Sequence, residues 1–228
     1  DIKPGIVMED FSSSYVNENR WAESPAGRSG FLPAVKSGSL VFDDRPMATL
    51  VSLSNFNELL SSTGDRRDRL RFRISKGDDR EERGLLECGV MTGGVSLVSK
   101  DSGLYLAHSY PAPGEGEDRL VTYWHQDSEL AAEYDFDIKP DKTKAGDLWY
   151  TFLFDKKTVT IYAGRGGYDQ TEDAWVGQYE HQMTDIATNG PVFLKLTGSN
   201  VHLHEISLVR PDRSAGGTAL WRSSPISG

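Results

Sequence analysis

Apolar and polar positions alternate with period two on both sides of an Asp155-Lys156-Lys157 turn in residues 147–163, and β-branched and aromatic side chains crowd the segment. That pattern predicts an antiparallel hairpin. Arg69-Leu70-Arg71-Phe72-Arg73-Ile74 alternates strictly, which puts Leu70, Phe72 and Ile74 on one face of a strand and three arginines on the other. Shorter runs of the same character lie at Ile6–Phe11, Gly38–Phe42, Leu50–Leu53, Gly84–Met91, Val95–Val98, Leu104–His108, Leu120–Gln126, Trp175–Tyr179, Pro191–Leu196 and Val201–Val209. Gly, Pro, Asp and Ser separate them. Helical spacing is confined to Asn55–Ser62, where Phe56, Leu59 and Leu60 share a face behind a Ser54 or Asn55 cap.

About a dozen short strands with almost no helix predict an all-β, two-sheet antiparallel sandwich. The period-two positions Leu70, Phe72, Ile74, Leu86, Val90, Phe152, Phe154, Ile161, Ile206 and Leu208 are its expected core. No repeat or low-complexity linker divides the chain, so residues 1–210 read as one domain and 211–228 as an extended tail.

Composition narrows the function classes without choosing one. The 228 residues are 37% hydrophobic and 26% charged, ordinary for a globular domain, and the net charge of −9 with no basic stripe argues against nucleic acid. No run of about eighteen apolar residues exists to span a membrane. The single cysteine, Cys88, excludes an internal disulfide and sits among alternating apolar positions, as a buried structural thiol would. A first residue Asp1 rather than Met reads as processing or trimming, which keeps secretion open. His202-x-His204 has metal-ligand spacing but reads as sheet surface or core, and no phosphate-cradling loop or nucleophile elbow occurs.

Asp10-Phe11, the element from Asn17 to Trp21, Gly38-Ser39-Leu40, the hairpin Trp149 to Tyr162 and the strand Glu205 to Val209 together resemble the concanavalin A-like lectin/glucanase jelly roll. Laminarinase-type glycosidases, laminin G-like domains and several polysaccharide lyases share that fold. The resemblance implies the sandwich and, in the glycosidases, two or three carboxylates at alternate positions of one strand. This chain departs from that motif. Glu87 stands alone on its strand, Glu129 and Glu133 are four apart, and Asp135 with Asp137 runs into Lys139-Pro140 and reads as loop. The resemblance also implies a structural calcium, with Asp10 (or Glu9), Gly38 and Glu205 at the matching positions, and no other cofactor.

Three readings follow. The first is a secreted domain that binds a polysaccharide on a concave sheet through Arg71, Glu87, Tyr123 and His125, with Trp175 as an aromatic contact. The second is a polysaccharide-cleaving enzyme, a uronic-acid lyase in which Arg71 neutralises the substrate carboxylate and His125 or Tyr123 moves the proton. The third is a structural or adhesive module facing a protein partner. Phe72, Cys88 and Trp124 alternate with the named residues and are expected on the core side, although Trp124 also has the character of a groove ring; Trp21 and Trp149 are expected to pack in the core or at a sheet edge.

Overall fold

The computed structural model describes residues 6–9, 11–13, 15–16, 20–23, 33–42, 48–53, 68–79, 81–92, 102–126, 129–138, 148–154, 158–164, 174–180 and 192–209. These contain fifteen strands and no helix: β1 (Ile6–Glu9), β2 (Trp21–Glu23), β3 (Ala34–Lys36), β4 (Ser39–Phe42), β5 (Ala48–Ser52), β6 (Asp68–Lys76), β7 (Gly84–Thr92), β8 (Ser102–Tyr110), β9 (Asp118–Gln126), β10 (Glu129–Ile138), β11 (Leu148–Phe154), β12 (Thr158–Gly164), β13 (Ala174–Glu180), β14 (Val192–Ser199) and β15 (Val201–Val209). One sheet runs β13-β12-β11-β6-β15-β4-β3, with β1 also on β15. The other runs β10-β9-β8-β7-β14-β5-β2. All pairings are antiparallel.

The hairpin read from sequence is β11–β12, with Phe152 opposite Ile161 and Phe154 opposite Val159. Its first strand also pairs with β6, Phe152 facing Leu70. Period two then fixes which side chains enter the core. The ten positions expected inside are all fully buried, and Cys88, Trp124 and Trp21 join them. Phe72 and Phe152 meet edge to face at 5.8 Å, a favoured aromatic geometry.

Two polar ties cross the core between the sheets. His108 on β8 is fully buried, and the Tyr150 hydroxyl from β11 donates to its Nδ1. Its Nε2–H in turn donates to Asp118 at 3.1 Å, while the ring stacks on Tyr110 at 3.9 Å. Further along, the Tyr179 hydroxyl of β13 donates to Thr122 of β9 at 2.8 Å. Buried polar groups are costly unless so paired, and these pairs tie the two sheets in one register.

Three sequence expectations change. Asp135 and Asp137 belong to a strand, β10, because Glu129–Ile138 pairs along β9 through a bulge between Leu130 and Ala132 that hides its period from the sequence. Trp124 is a core residue and no groove ring. Trp149 is half-buried on the outward face of the eight-stranded sheet, beneath the guanidinium of Arg71 at 4.2 Å. The expected helix 55–62, the strand 95–98 and the tail 211–228 lie outside the described residues.

Candidate functional site

Alternation sends the positions between the core residues of β7, β8, β9 and β14 to the outward face of the seven-stranded sheet. Register places Tyr123, Tyr105, Gly89, Lys195 and Val51 side by side across five strands. The row on one side is His125, Gly103, Met91 and Phe193, and on the other Val121, Ala107, Glu87, Thr197 and Thr49. Such a row is how a strand gathers residues distant in sequence.

Tyr105 is the floor. Although it faces away from the core it is only 1% exposed, because Gly89 and Gly103 beside it carry no side chain and Val51, Met91, Tyr123 and Phe193 close around it. A Cβ on Gly103 would lie 2.6 Å from the Tyr105 ring, so the ring rests where only glycine leaves room. The half-buried rings of Tyr123 and His125 pack 5.4 and 6.1 Å from Tyr105 and 4.9 Å from each other.

Polar groups converge over this floor. The Tyr123 hydroxyl donates to Oε2 of Glu87, and Lys195 Nζ lies 3.4 Å from Oε1 of the same carboxylate and 4.9 Å above the Tyr105 ring. Glu87 and Lys195 side chains are 21% and 22% exposed, so their charges meet in a partly desolvated setting where pairing is stronger than on an open surface. At the rim Thr49 and Thr197 hydroxyls are bonded at 3.0 Å. The result is a patch of ring faces with a carboxylate, an ammonium and hydroxyls held at fixed positions.

The structure thus brings Glu87, Tyr123 and His125 together as the sequence argument required. It does not bring Arg71 to them. Arg71 is on β6 in the other sheet, with Ser207 and Thr151 as its neighbours, so the sandwich core separates it from Tyr123. The sequence showed that each residue faced outward, but outward from which sheet depends on strand order. Trp175 is on β13, opposite Tyr162, in the same sheet as Arg71. Tyr105, Lys195 and Phe193 were missed; the alternation Phe193-x-Lys195-x-Thr197 against Leu194 and Leu196 carried the signal for the two residues of β14. Among the calcium positions, Asp10 is outside the described residues, Gly38 sits in the β3–β4 turn with φ of 74°, and Glu205 is 3.9 Å from Arg73. Among the described residues no group of three metal-ligating side chains gathers.

A glycosidase needs two carboxyl groups about 5 to 9.5 Å apart across the scissile bond. On this face Glu87 has no acidic neighbour on its own strand among the outward positions, which are Leu85, Glu87, Gly89 and Met91. Glu133 and Asp135 belong to β10, three strand spacings from β7, so their backbones stand about 14 Å away.

No protein family model matches the chain, and no curated protein matches its sequence. Solved structures do match its fold. The catalytic domain of an endo-1,3-β-glucanase (laminarinase) from Thermotoga petrophila is similar over 92% of this chain and 98% of its own, with a TM-score of 0.55 and 8% identity. A β-glucanase from Bacillus licheniformis is similar over 92% of this chain and 99% of its own, with a TM-score of 0.56 and 9% identity. The CBM2 module of the evolved Dit of Lactobacillus casei BL23 phage J-1 is similar over 87% of this chain and 92% of its own, with a TM-score of 0.56 and 10% identity. The chain therefore has the concanavalin A-like jelly-roll fold. At such identities the likeness is one of fold, and function rests on the site.

Proposed function

We propose that this chain is a carbohydrate-binding domain that holds a neutral polysaccharide on the outward face of the seven-stranded sheet, in an extracellular setting. The observation that carries the reading is the cluster of Tyr123, Glu87 and Lys195 fixed over the Tyr105 floor. Sugar rings present apolar faces that stack on planar side chains, and their hydroxyls both donate and accept. Tyr123, His125 and Phe193 supply half-buried rings, Glu87 an acceptor, and Lys195 and the threonine hydroxyls donors.

Charge favours a neutral sugar over a uronic acid. Lys195 is engaged by Glu87, and Arg119 at the margin binds Asp135 through Nε at 2.8 and 3.1 Å. An incoming carboxylate would compete with Glu87 and approach Glu133 and Asp135, whereas a hydroxyl fits beside all of them. With Arg71 on the other sheet, the cations that the described residues put on this face are Lys195 and, at the margin, Arg119, both already paired with carboxylates, which disfavours the lyase reading, and the distance of Glu133 and Asp135 from Glu87 favours binding over glycosidic cleavage. Affinity electrophoresis against neutral glucans and uronic-acid polymers tests this: retardation by a neutral polymer without new reducing ends or unsaturated products is expected. Release of unsaturated uronic products would replace the reading with the lyase, and absence of retardation by every neutral polymer would reject it.

A further inference from the structure

The patch on the seven-stranded sheet continues past β9. Register extends the row of Val51, Lys195, Gly89, Tyr105 and Tyr123 onto β10, where Glu133 stands directly opposite Tyr123. Side chains so opposed on one face have Cβ atoms about 5 Å apart, so Glu133 leaves the sheet next to the Tyr123 ring. Glu133 is exposed, whereas Tyr123 and His125, whose rings pack 4.9 Å apart, are half-buried.

The charges of this face do not balance beside those rings. The charged side chains of described placement that alternation sends outward on β7 to β10 and on β14 are Glu87, Arg119, Glu133, Asp135 and Lys195. Lys195 meets Glu87 at 3.4 Å, and Arg119 Nε donates to Asp135 at 2.8 Å. Among the described residues no cation pairs with Glu133. The carboxylate left over is the one that adjoins the ring of Tyr123.

We propose that the sugar unit seated on Tyr123 and His125 carries a free amino group, so that the glycan is a partly de-N-acetylated amino-sugar polysaccharide whose acetylated units are neutral. This rests on glycan binding at the same face and names the class of glycan bound there.

An ammonium suits the position in two ways. It donates to a carboxylate with its charge assisting the bond, and an aromatic face attracts it, so one cation between Glu133 and Tyr123 satisfies both. Glu87 already accepts from Tyr123 and has Lys195 beside it, and Asp135 has Arg119, so a cation taken by Glu133 displaces no existing pair. N-acetylation removes the charge and leaves a single N–H to donate. A uronate in the same place meets a like charge. At longer range the net charge of −9 draws a polycation to the chain and turns a polyanion away. Because Glu133 is exposed, solvent screens the contact, and the preference for the amine is several-fold rather than absolute. It should fade at about 1 M salt, where the screening length is about 3 Å.

Titration calorimetry in mildly acidic buffer, where a sugar amine carries its proton, reads this with two probes of equal length: an oligosaccharide of N-acetylglucosamine and the same oligosaccharide de-N-acetylated. The wild type should bind the second several-fold more tightly at low salt and the two alike at high salt. Glu133→Gln should erase the difference, and Glu133→Lys should reverse it. Glu81→Gln, which removes an equal charge from the exposed connection between β6 and β7, should keep it, so that general attraction of a polycation to an acidic chain is told apart from pairing at Glu133. Glu87→Gln should weaken both probes together. Equal binding of the two probes by the wild type at low salt, or a preference that survives Glu133→Gln, would overturn the amino-sugar assignment and leave glycan binding on this face standing. Binding of neither probe would also overturn it, and the wider reading falls with it only where neutral glucans fail to retard the chain as well.

Discussion

The Tyr123 hydroxyl on β9 donates to the Glu87 carboxylate on β7, reaching across the intervening strand β8. It can do so because the residue of β8 between Glu87 and Val121 is Ala107, too short to block the path. Removing the hydroxyl by Tyr123→Phe leaves Lys195 as the partner of Glu87 and frees the carboxylate to swing. Glycan binding should weaken several-fold and stability should fall by about 1 kcal/mol, the net worth of one hydrogen bond. Urea unfolding and a glycan titration on the same variant check both.

The aromatic floor depends on glycine. Gly103→Ala would put its Cβ 2.6 Å from both the Tyr105 ring and the Val90 carbonyl oxygen, so backbone or ring must move. Overpacking of this kind costs about 1–3 kcal/mol, and the shifted ring should also lower glycan affinity. The midpoint of urea unfolding should fall with an unchanged slope. A variant as stable as wild type would show that the floor is looser than described.

Between the sheets, Tyr150→Phe deletes the donor to Nδ1 of His108 while keeping the ring volume. A fully buried imidazole nitrogen then loses its partner, at a cost of about 1–3 kcal/mol. Tyr179→Phe, whose partner is the Thr122 hydroxyl, should cost less, since that hydroxyl loses one accepted bond but keeps its own proton to donate. Equal losses in the two variants would contradict the special weight given to the His108 tie.

Cys88 is fully buried, and burial foremost, with the Glu87 charge adding to it, pushes its thiol well above the usual range. The thiolate is the reactive form, so the folded chain should resist a disulfide reagent at neutral pH. Reaction should appear only across the unfolding transition in urea. Fast modification of the folded protein would place the thiol at a solvent-open position.

Most of the sheet structure was legible because a half-buried strand writes its geometry as period two. Phe72, Cys88 and Ile206 were assignable to the core from that alone, and Glu87, Tyr123 and His125 to an outward face. Which outward face was not legible. Arg71 and Tyr123 read as equivalent, yet β6 and β9 belong to different sheets, and strand order is set by long-range pairing that leaves no local trace. β10 was hidden by its bulge. Tyr105 was hidden for another reason: a buried ring on an outward face is recognisable only once Gly89 and Gly103 are known to lie beside it.

Glycan recognition is expected on the seven-stranded sheet's outward face. Titration calorimetry in dilute protein, with a neutral oligosaccharide from the polymer that retards the chain, compares wild type with Glu87→Gln, Lys195→Ala and, on the opposite sheet, Arg71→Gln. Affinity should fall about tenfold or more in the first two, equivalent to about 1.4 kcal/mol, and stay at the wild-type value in the third. Unchanged affinity in Glu87→Gln and Lys195→Ala, with loss in Arg71→Gln, would contradict it.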